Sequence, residues 1–134
     1  MIILDTHVLL WIDRDDPALG PSTRARIEGS WRSGEEVGVS AISFWECAML
    51  AQRQKIVLPC PAERWRTEIL GAGMVEVPLD GRIALLATTF DDLHRDPADR
   101  FIAATAMHRG ATLFTADEKL LAWRSDLVRH DARE

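Results

Sequence analysis

With 134 residues, 47 % of them hydrophobic and 28 % charged, the chain has the make-up of one ordinary globular domain, which excludes collagen-like, disordered and disulfide-scaffold classes. At that length folding hides roughly 65 to 70 % of the extended chain's surface, enough for a real core. The net charge of −5 is the wrong sign for a protein that grips nucleic acid through a broad basic face.

Met1 to Leu4 is a short apolar run ending in Asp5, after which Val8, Leu9, Trp11 and Ile12 recur at helical spacing, so a strand feeds a helix. Arg14 to Ser22, with Pro17, Gly20 and Pro21, reads as a loop, and an Arg-rich helix follows from about Thr23 to Arg32, ended by Gly34. Val37 to Val39 is a short strand, Ser40 a helix N-cap, and Ala41 to Gln54 a helix stopped before Pro59. Pro61 to Leu70 forms a further helix with Pro in its first turn, Met74 to Leu79 a third strand, and Gly81 to Thr89 a helix. Asp96 and Pro97 start the helix Ala98 to Arg109, Gly110 stops it, and Ala111 to Thr115 is the fourth strand. A short helix, Glu118 to Trp123, precedes a last edge strand at Asp126 to Arg129 and a polar tail, His130 to Glu134. Alternating strands and helices predict an α/β fold: one domain over 1–134, a parallel sheet in the order 3-2-1-4-5 and helices on both faces.

Met1 to Leu10 lacks the basic start of a signal peptide, and no apolar run approaches the roughly 20 residues of a membrane span. A cytoplasmic location without membrane attachment is expected. Cys47 and Cys60 make neither a CxxC pair nor a disulfide framework.

In parallel sheets ligands bind beyond the carboxyl ends of the strands, where Asp5 and Asp117 fall. Both also precede predicted helices, so capping explains each of them singly. Glu46 is less easily explained, because Ile42, Met49 and Leu50 put it inside the apolar arc of its helix, where an unpaired carboxylate is costly. A metal satisfies it, or Arg53 further along the stripe. Asp99 shares a face with Ile102, Ala103 and Ala106, although Asp96 and Asp99 also have the spacing of a capping-box variant. Taken together, strands one and four side by side bring Asp5 and Asp117 to the switch point of the sheet, and Glu46 and Asp99 reach it from their helices. Four hard oxygen ligands suit Mg²⁺, or Mn²⁺ in its place, and suit zinc poorly.

The segments Ile2 to Leu10 (IILDTHVLL), Ser40 to Glu46 (SAISFWE), Asp96 to Ala104 (DPADRFIAA) and Leu113 to Asp117 (LFTAD) resemble, in order, the four acidic motifs of the PIN-domain family, and within it the VapC toxins of toxin–antitoxin pairs. The resemblance implies that Asp5, Glu46, Asp99 and Asp117 form the metal-binding acidic quartet, with Thr6 and Thr115 as the small hydroxyl residues beside it. Asp96 is close enough to assist, although an N-cap role suits it better. The family further implies a homodimer, a VapB-type antitoxin that blocks the site, and cleavage of structured RNA such as tRNA or rRNA. His7, His94, His108 and His130 match none of the family's catalytic positions and read as surface or packing residues.

The chemistry these residues suggest is metal-assisted phosphodiester hydrolysis with no histidine base. The 14 Arg against 2 Lys suit phosphate contacts, and Arg24, Arg26, Arg64 and Arg66 are candidates for substrate choice. A haloacid-dehalogenase-like phosphatase is excluded by His7, which stands where a second Asp is required. A receiver domain needs a Lys after a late strand, and the nearby Lys119 lies in a helix. A metal-free binding module whose acids are only caps, and a nuclease of housekeeping RNA processing, remain as alternatives.

Overall fold

Ile2 and Leu4 face one side of β1 (Ile2–Leu4) and Ile3 faces the other, and all three are buried, so this strand must be covered on both faces. The computed structural model describes residues 1–134 and supplies that cover. Four more strands, β2 (Val37–Ser40), β3 (Val75–Val77), β4 (Thr112–Thr115) and β5 (Arg129–Asp131), complete an all-parallel sheet in the order β3-β2-β1-β4-β5. The expected order and class are therefore observed.

Each face of the sheet carries its own core. Ile2, Leu4, Val37, Val39 and Phe114 pack with residues of α1 (Thr6–Arg14), α2 (Pro21–Ser33), α3 (Ala41–Gln52) and α4 (Ala62–Gly71). Ile3, Val77 and Leu113 pack with α5 (Gly81–Thr88), α6 (Pro97–His108) and α7 (Glu118–Ala122). In α6, Ala103, Ala104 and Ala106 are fully buried, and such small side chains let the helix lie close on the sheet. That closeness fixes the start of α6, and Asp99 with it, against the strand ends. No helix is long and apolar enough to cross a membrane.

Two strands differ from expectation. β3 ends at Val77 rather than Leu79 because Pro78 has no N–H to give the ladder. β5 is Arg129–Asp131 rather than Asp126 to Arg129, so the expected polar tail is part of the sheet. Leu127 and Val128 gave the apolar signal, but Leu127 turns into the core while Val128 is left 62 % exposed. The strand is held instead by its backbone and by polar partners: His130 Nε2 meets the Thr23 hydroxyl at 2.8 Å, and Arg129 donates to the carbonyls of Leu121, Trp123 and Leu127. Beyond it, Ala132 is fully buried and bonded to Thr115 and Gly20, and the Glu134 carbonyl accepts from Thr23 N.

Candidate active site

Asp5 is the first residue after β1, and its position follows from the sheet: its N–H donates to Phe114 O across the β1–β4 pair. As N-cap of α1 it accepts from Thr6 N at 2.8 Å through Oδ1. Oδ2 accepts from the Thr115 hydroxyl at 2.7 Å, and the same hydroxyl accepts from Asp117 N at 3.0 Å. Thr115 thus ties the acid after strand one to the acid after strand four. His7 closes the arrangement, with Nε2 accepting from Ala116 N at 2.8 Å and Nδ1 lying 3.7 Å from Asp5 Oδ2.

Ser40 caps α3 by accepting from Ile42 N, and Glu46 follows in the second turn. Thr6, at the start of α1, donates to Glu46 Oε1 and lies 3.0 Å from the buried Ser43 hydroxyl. Glu46 is therefore held by Thr6, and the expected alternative partner Arg53 forms no ion pair and stands exposed at the end of α3. Oε2 of Glu46 has no protein donor.

Asp96 is the N-cap of α6, accepting from Ala98 N at 3.0 Å, as its sequence position suggested. Asp99, in the first turn, faces His94 and Asp117, and one donor atom from each of the three lies within 4.8 Å of the others. His94 Nε2 is 3.1 Å from Asp99 Oδ2, yet it is out of hydrogen-bond alignment and otherwise without a partner, although buried. The loop carrying His94 is fixed from behind: the Arg100 guanidinium donates to the carbonyls of Ala87, Phe90, Leu93 and His94. Asp117 caps α7, its Oδ1 accepting from Lys119 N and Leu120 N.

These acids act on one another. Asp99 has its pKa pushed up to about 8, first by burial and then by the charges of Asp5, Asp96, Asp117 and Glu46. Burial also raises Asp5, against the opposing pull of His7, Thr115 and Thr6, and it raises Glu46, against the Thr6 hydrogen bond. Asp99 and Asp117 stand with His94 in one close group, Asp5 is tied to Asp117 through Thr115, and Glu46, tied to Thr6, lies outside that group but near enough for its charge to act on Asp99. Asp5, Glu46 and Asp99, whose carboxyls burial makes harder to ionise, are groups that a divalent cation relieves, and the buried, unpartnered His94 nitrogen adds a further donor. The residues present therefore fit a hard divalent metal.

Of the four histidines, His108 is exposed and His130 packs on Phe114, as expected, but His7 and His94 belong to the site. His94 carries no motif signal, since its place depends on the Arg100 contacts. Ser43 was equally hidden, as a lone serine in a mostly apolar helix.

With the acids gathered at the carboxyl end of β1 and β4, comparison with known proteins becomes informative. The PIN domain model matches residues 2–123. The chain belongs to the PIN-domain family. Ribonuclease VapC22 of Mycobacterium tuberculosis is 32 % identical over 124 residues, which is 92 % of each chain. This PIN domain also shares its fold with VapBC-1 from nontypeable Haemophilus influenzae, with a TM-score of 0.71, 19 % identity and 100 % of both chains covered. VapBC2 from Rickettsia felis, solved bound to a DNA fragment from its promoter, gives a TM-score of 0.71 at 16 % identity over 97 % of this chain and 98 % of that one.

Proposed function

We propose that this PIN domain, acting as one unit over 1–134, is a metal-dependent endoribonuclease and the toxin of a cytoplasmic toxin–antitoxin pair. The observation that carries the reading is the crowding at Asp99, whose carboxyl is held near pKa 8 by burial and four neighbouring acids. The 32 % identity to a ribonuclease over nearly the whole chain supports the activity. Asp99 and Asp117, grouped with His94, would hold Mg²⁺ together with Asp5, which Thr115 ties to Asp117, and Glu46, with Mn²⁺ able to substitute. Such an ion, when bound, supplies Lewis acidity and neutralises charge on a phosphodiester.

The chain's own residues do the rest. Thr115 orients Asp5 and Thr6 orients Glu46, each through a hydroxyl that is fixed before substrate arrives. Glu46, with Oε1 engaged by Thr6, keeps Oε2 for the ion, so Thr6 fixes which oxygen faces the site. Attack by water rather than by the ribose 2′-OH leaves 5′-phosphate and 3′-hydroxyl ends. Structured RNA, tRNA or rRNA, is the substrate class. A VapB-type antitoxin and a second copy of the chain are the partners, and the exposed apolar side chains Trp45, Val57, Leu85 and Val128 give them surface to cover.

The deciding experiment incubates purified protein with cellular RNAs, in Mg²⁺ or in chelator, beside Asp5→Ala, and maps fragment ends. Cleavage that needs both the metal and Asp5 is expected. Cyclic phosphate ends would contradict the mechanism, and absence of saturable, Asp5-dependent Mn²⁺ binding in calorimetry would return the acids to a capping role. Growth arrest on overexpression that Asp5→Ala abolishes separates a toxin from a housekeeping nuclease.

A further inference from the structure

Most of the chain's cations are already engaged. Arg24 pairs with Asp15, Arg64 with Glu68, Arg66 with Glu76, and Arg133 with Glu118 and Asp131. Arg26 lies over the Phe114 ring, and Arg100 and Arg129 are spent on backbone carbonyls. The arginines that sequence alone put forward for substrate choice are therefore largely committed to structure. Among the cations that stay free, Arg95, Lys119 and Arg124 stand together. All three are exposed, and their side chains make no ion pair or hydrogen bond with protein. They line one cavity of about 620 Å³ between the Asp91–Asp96 loop and α7, and the only acid in its wall is Asp92.

That cavity adjoins the acid cluster. His94 belongs to both, lining the cavity while its Nε2 lies 3.1 Å from Asp99 Oδ2. Lys119 is two residues beyond Asp117 and gives its backbone N–H to that carboxylate. A polyanion lying across the four acids therefore meets concentrated positive charge on this side, in a protein whose net charge is −5. With three free cations in its wall the cavity suits an anionic backbone better than a neutral ligand, and free guanidinium and ammonium groups suit phosphate oxygens.

We propose that the Arg95–Lys119–Arg124 cavity is a substrate subsite that grips the RNA phosphates flanking the scissile bond. The proposal rests on the nuclease reading and adds where the strand runs, from the carboxylates past His94 into the space between the Asp91–Asp96 loop and α7. It also explains how an acidic protein holds RNA: by one short positive channel beside the metal site rather than by a basic face.

The test compares two triple variants, each in the full chain with Asp5→Asn to prevent cleavage. One carries Arg95→Gln, Lys119→Gln and Arg124→Gln. The other carries Arg53→Gln, Lys55→Gln and Arg82→Gln, the same change of charge at cations that line no part of the cavity and are also unpaired. Anisotropy of a fluorescein-labelled RNA hairpin over a salt series is the readout. The cavity variant should bind about tenfold more weakly and lower the slope of log affinity against log salt by about 2, with the control variant close to the parent. Equal weakening of both variants, or of neither, would overturn the proposal. Displacement by polyglutamate but not by RNA would overturn it too, by giving the cavity to an acidic protein partner. Metal- and Asp5-dependent cleavage by the unmodified protein is scored separately. If that cleavage occurs while the cavity variant binds like its parent, only the subsite fails; if it does not occur, the nuclease reading fails and takes the subsite with it.

Discussion

Asp99→Asn should make the metal-free protein more stable while abolishing cleavage. The Asp99 carboxyl, 14 % exposed, is shifted from 3.8 to about 8, so near pH 7 the folded chain holds a proton that the unfolded chain releases. Holding it costs about 1.4 kcal/mol per pH unit over roughly three units, an upper limit of ~4 kcal/mol. Relaxation of neighbouring acids and water reaching the site leave about 1–2 kcal/mol. An amide needs no proton, and because Asp99 is already neutral, little favourable interaction with the start of α6 is lost. For a chain of this size the gain is roughly 3–6 °C in Tm. The sign follows from proton binding: between pH 4 and 8 the native state carries the extra proton, so wild-type stability falls as pH rises through that window. The variant's profile should be flatter. Differential scanning fluorimetry in chelator across that range measures both effects. A lower melting temperature for Asp99→Asn at pH 7, or parallel pH profiles, would refute the crowding argument and favour a capping role for Asp99.

Thr115→Val removes the hydroxyl shared between Asp5 Oδ2 and Asp117 N, and it should cost about 1–3 kcal/mol in urea titration together with most of the RNA cleavage; an active, fully stable variant would dismiss the tie between the two acids. Arg100→Lys cannot reproduce a planar fork reaching four carbonyls, so a loss of about 2 kcal/mol or more is expected, with faster amide hydrogen exchange at 87–94; unchanged exchange there would show that the loop is held by something else. Gly20→Ala is expected to destabilise by about 1–3 kcal/mol, because an added Cβ would sit 2.0 Å from the Glu134 carbonyl oxygen and displace the C-terminal segment. Limited proteolysis of that segment is the check, and protection equal to wild type would count against its role as part of the sheet.

The sheet was legible because its strands are apolar on both faces and its helices begin at residues with recognisable capping chemistry: Asp5, Ser40, Asp96 and Asp117 all cap as their positions suggest. β5 was not, since it is recruited by backbone pairing to β4 and, at His130 and Asp131, by Thr23 more than 100 residues away, and no local pattern records that. Among site residues Asp5 and Asp117 were legible from standing just after strands, and Glu46 and Asp99 from lying on the apolar faces of their helices. His94 and Ser43 were not, because a histidine in a loop and a serine in a helix acquire meaning only once Arg100 and Thr6 are placed beside them.

Capping and metal chemistry, which the sequence sets against each other, are divided in the structure between the oxygens of single side chains. Asp5 gives Oδ1 to Thr6 N, Asp96 gives Oδ1 to Ala98 N, and Asp117 gives Oδ1 to Lys119 N and Leu120 N. In each case a helix N-terminus offsets part of the cost of holding a carboxylate there and fixes the direction of the remaining oxygen. α1 and α7 begin just beyond β1 and β4, so the caps Asp5 and Asp117 gather at the carboxyl end of the sheet, while α6 follows α5 and a loop and brings Asp96 and Asp99 there by packing. Asp99 is the exception: although in the first turn of α6, it accepts no backbone N–H, and the His94 nitrogen beside it is unaligned. The repulsion of the cluster therefore falls on the acid that no hydrogen bond stabilises, which is why its carboxyl rises to about 8 and why a divalent cation would change its state more than that of any capped neighbour.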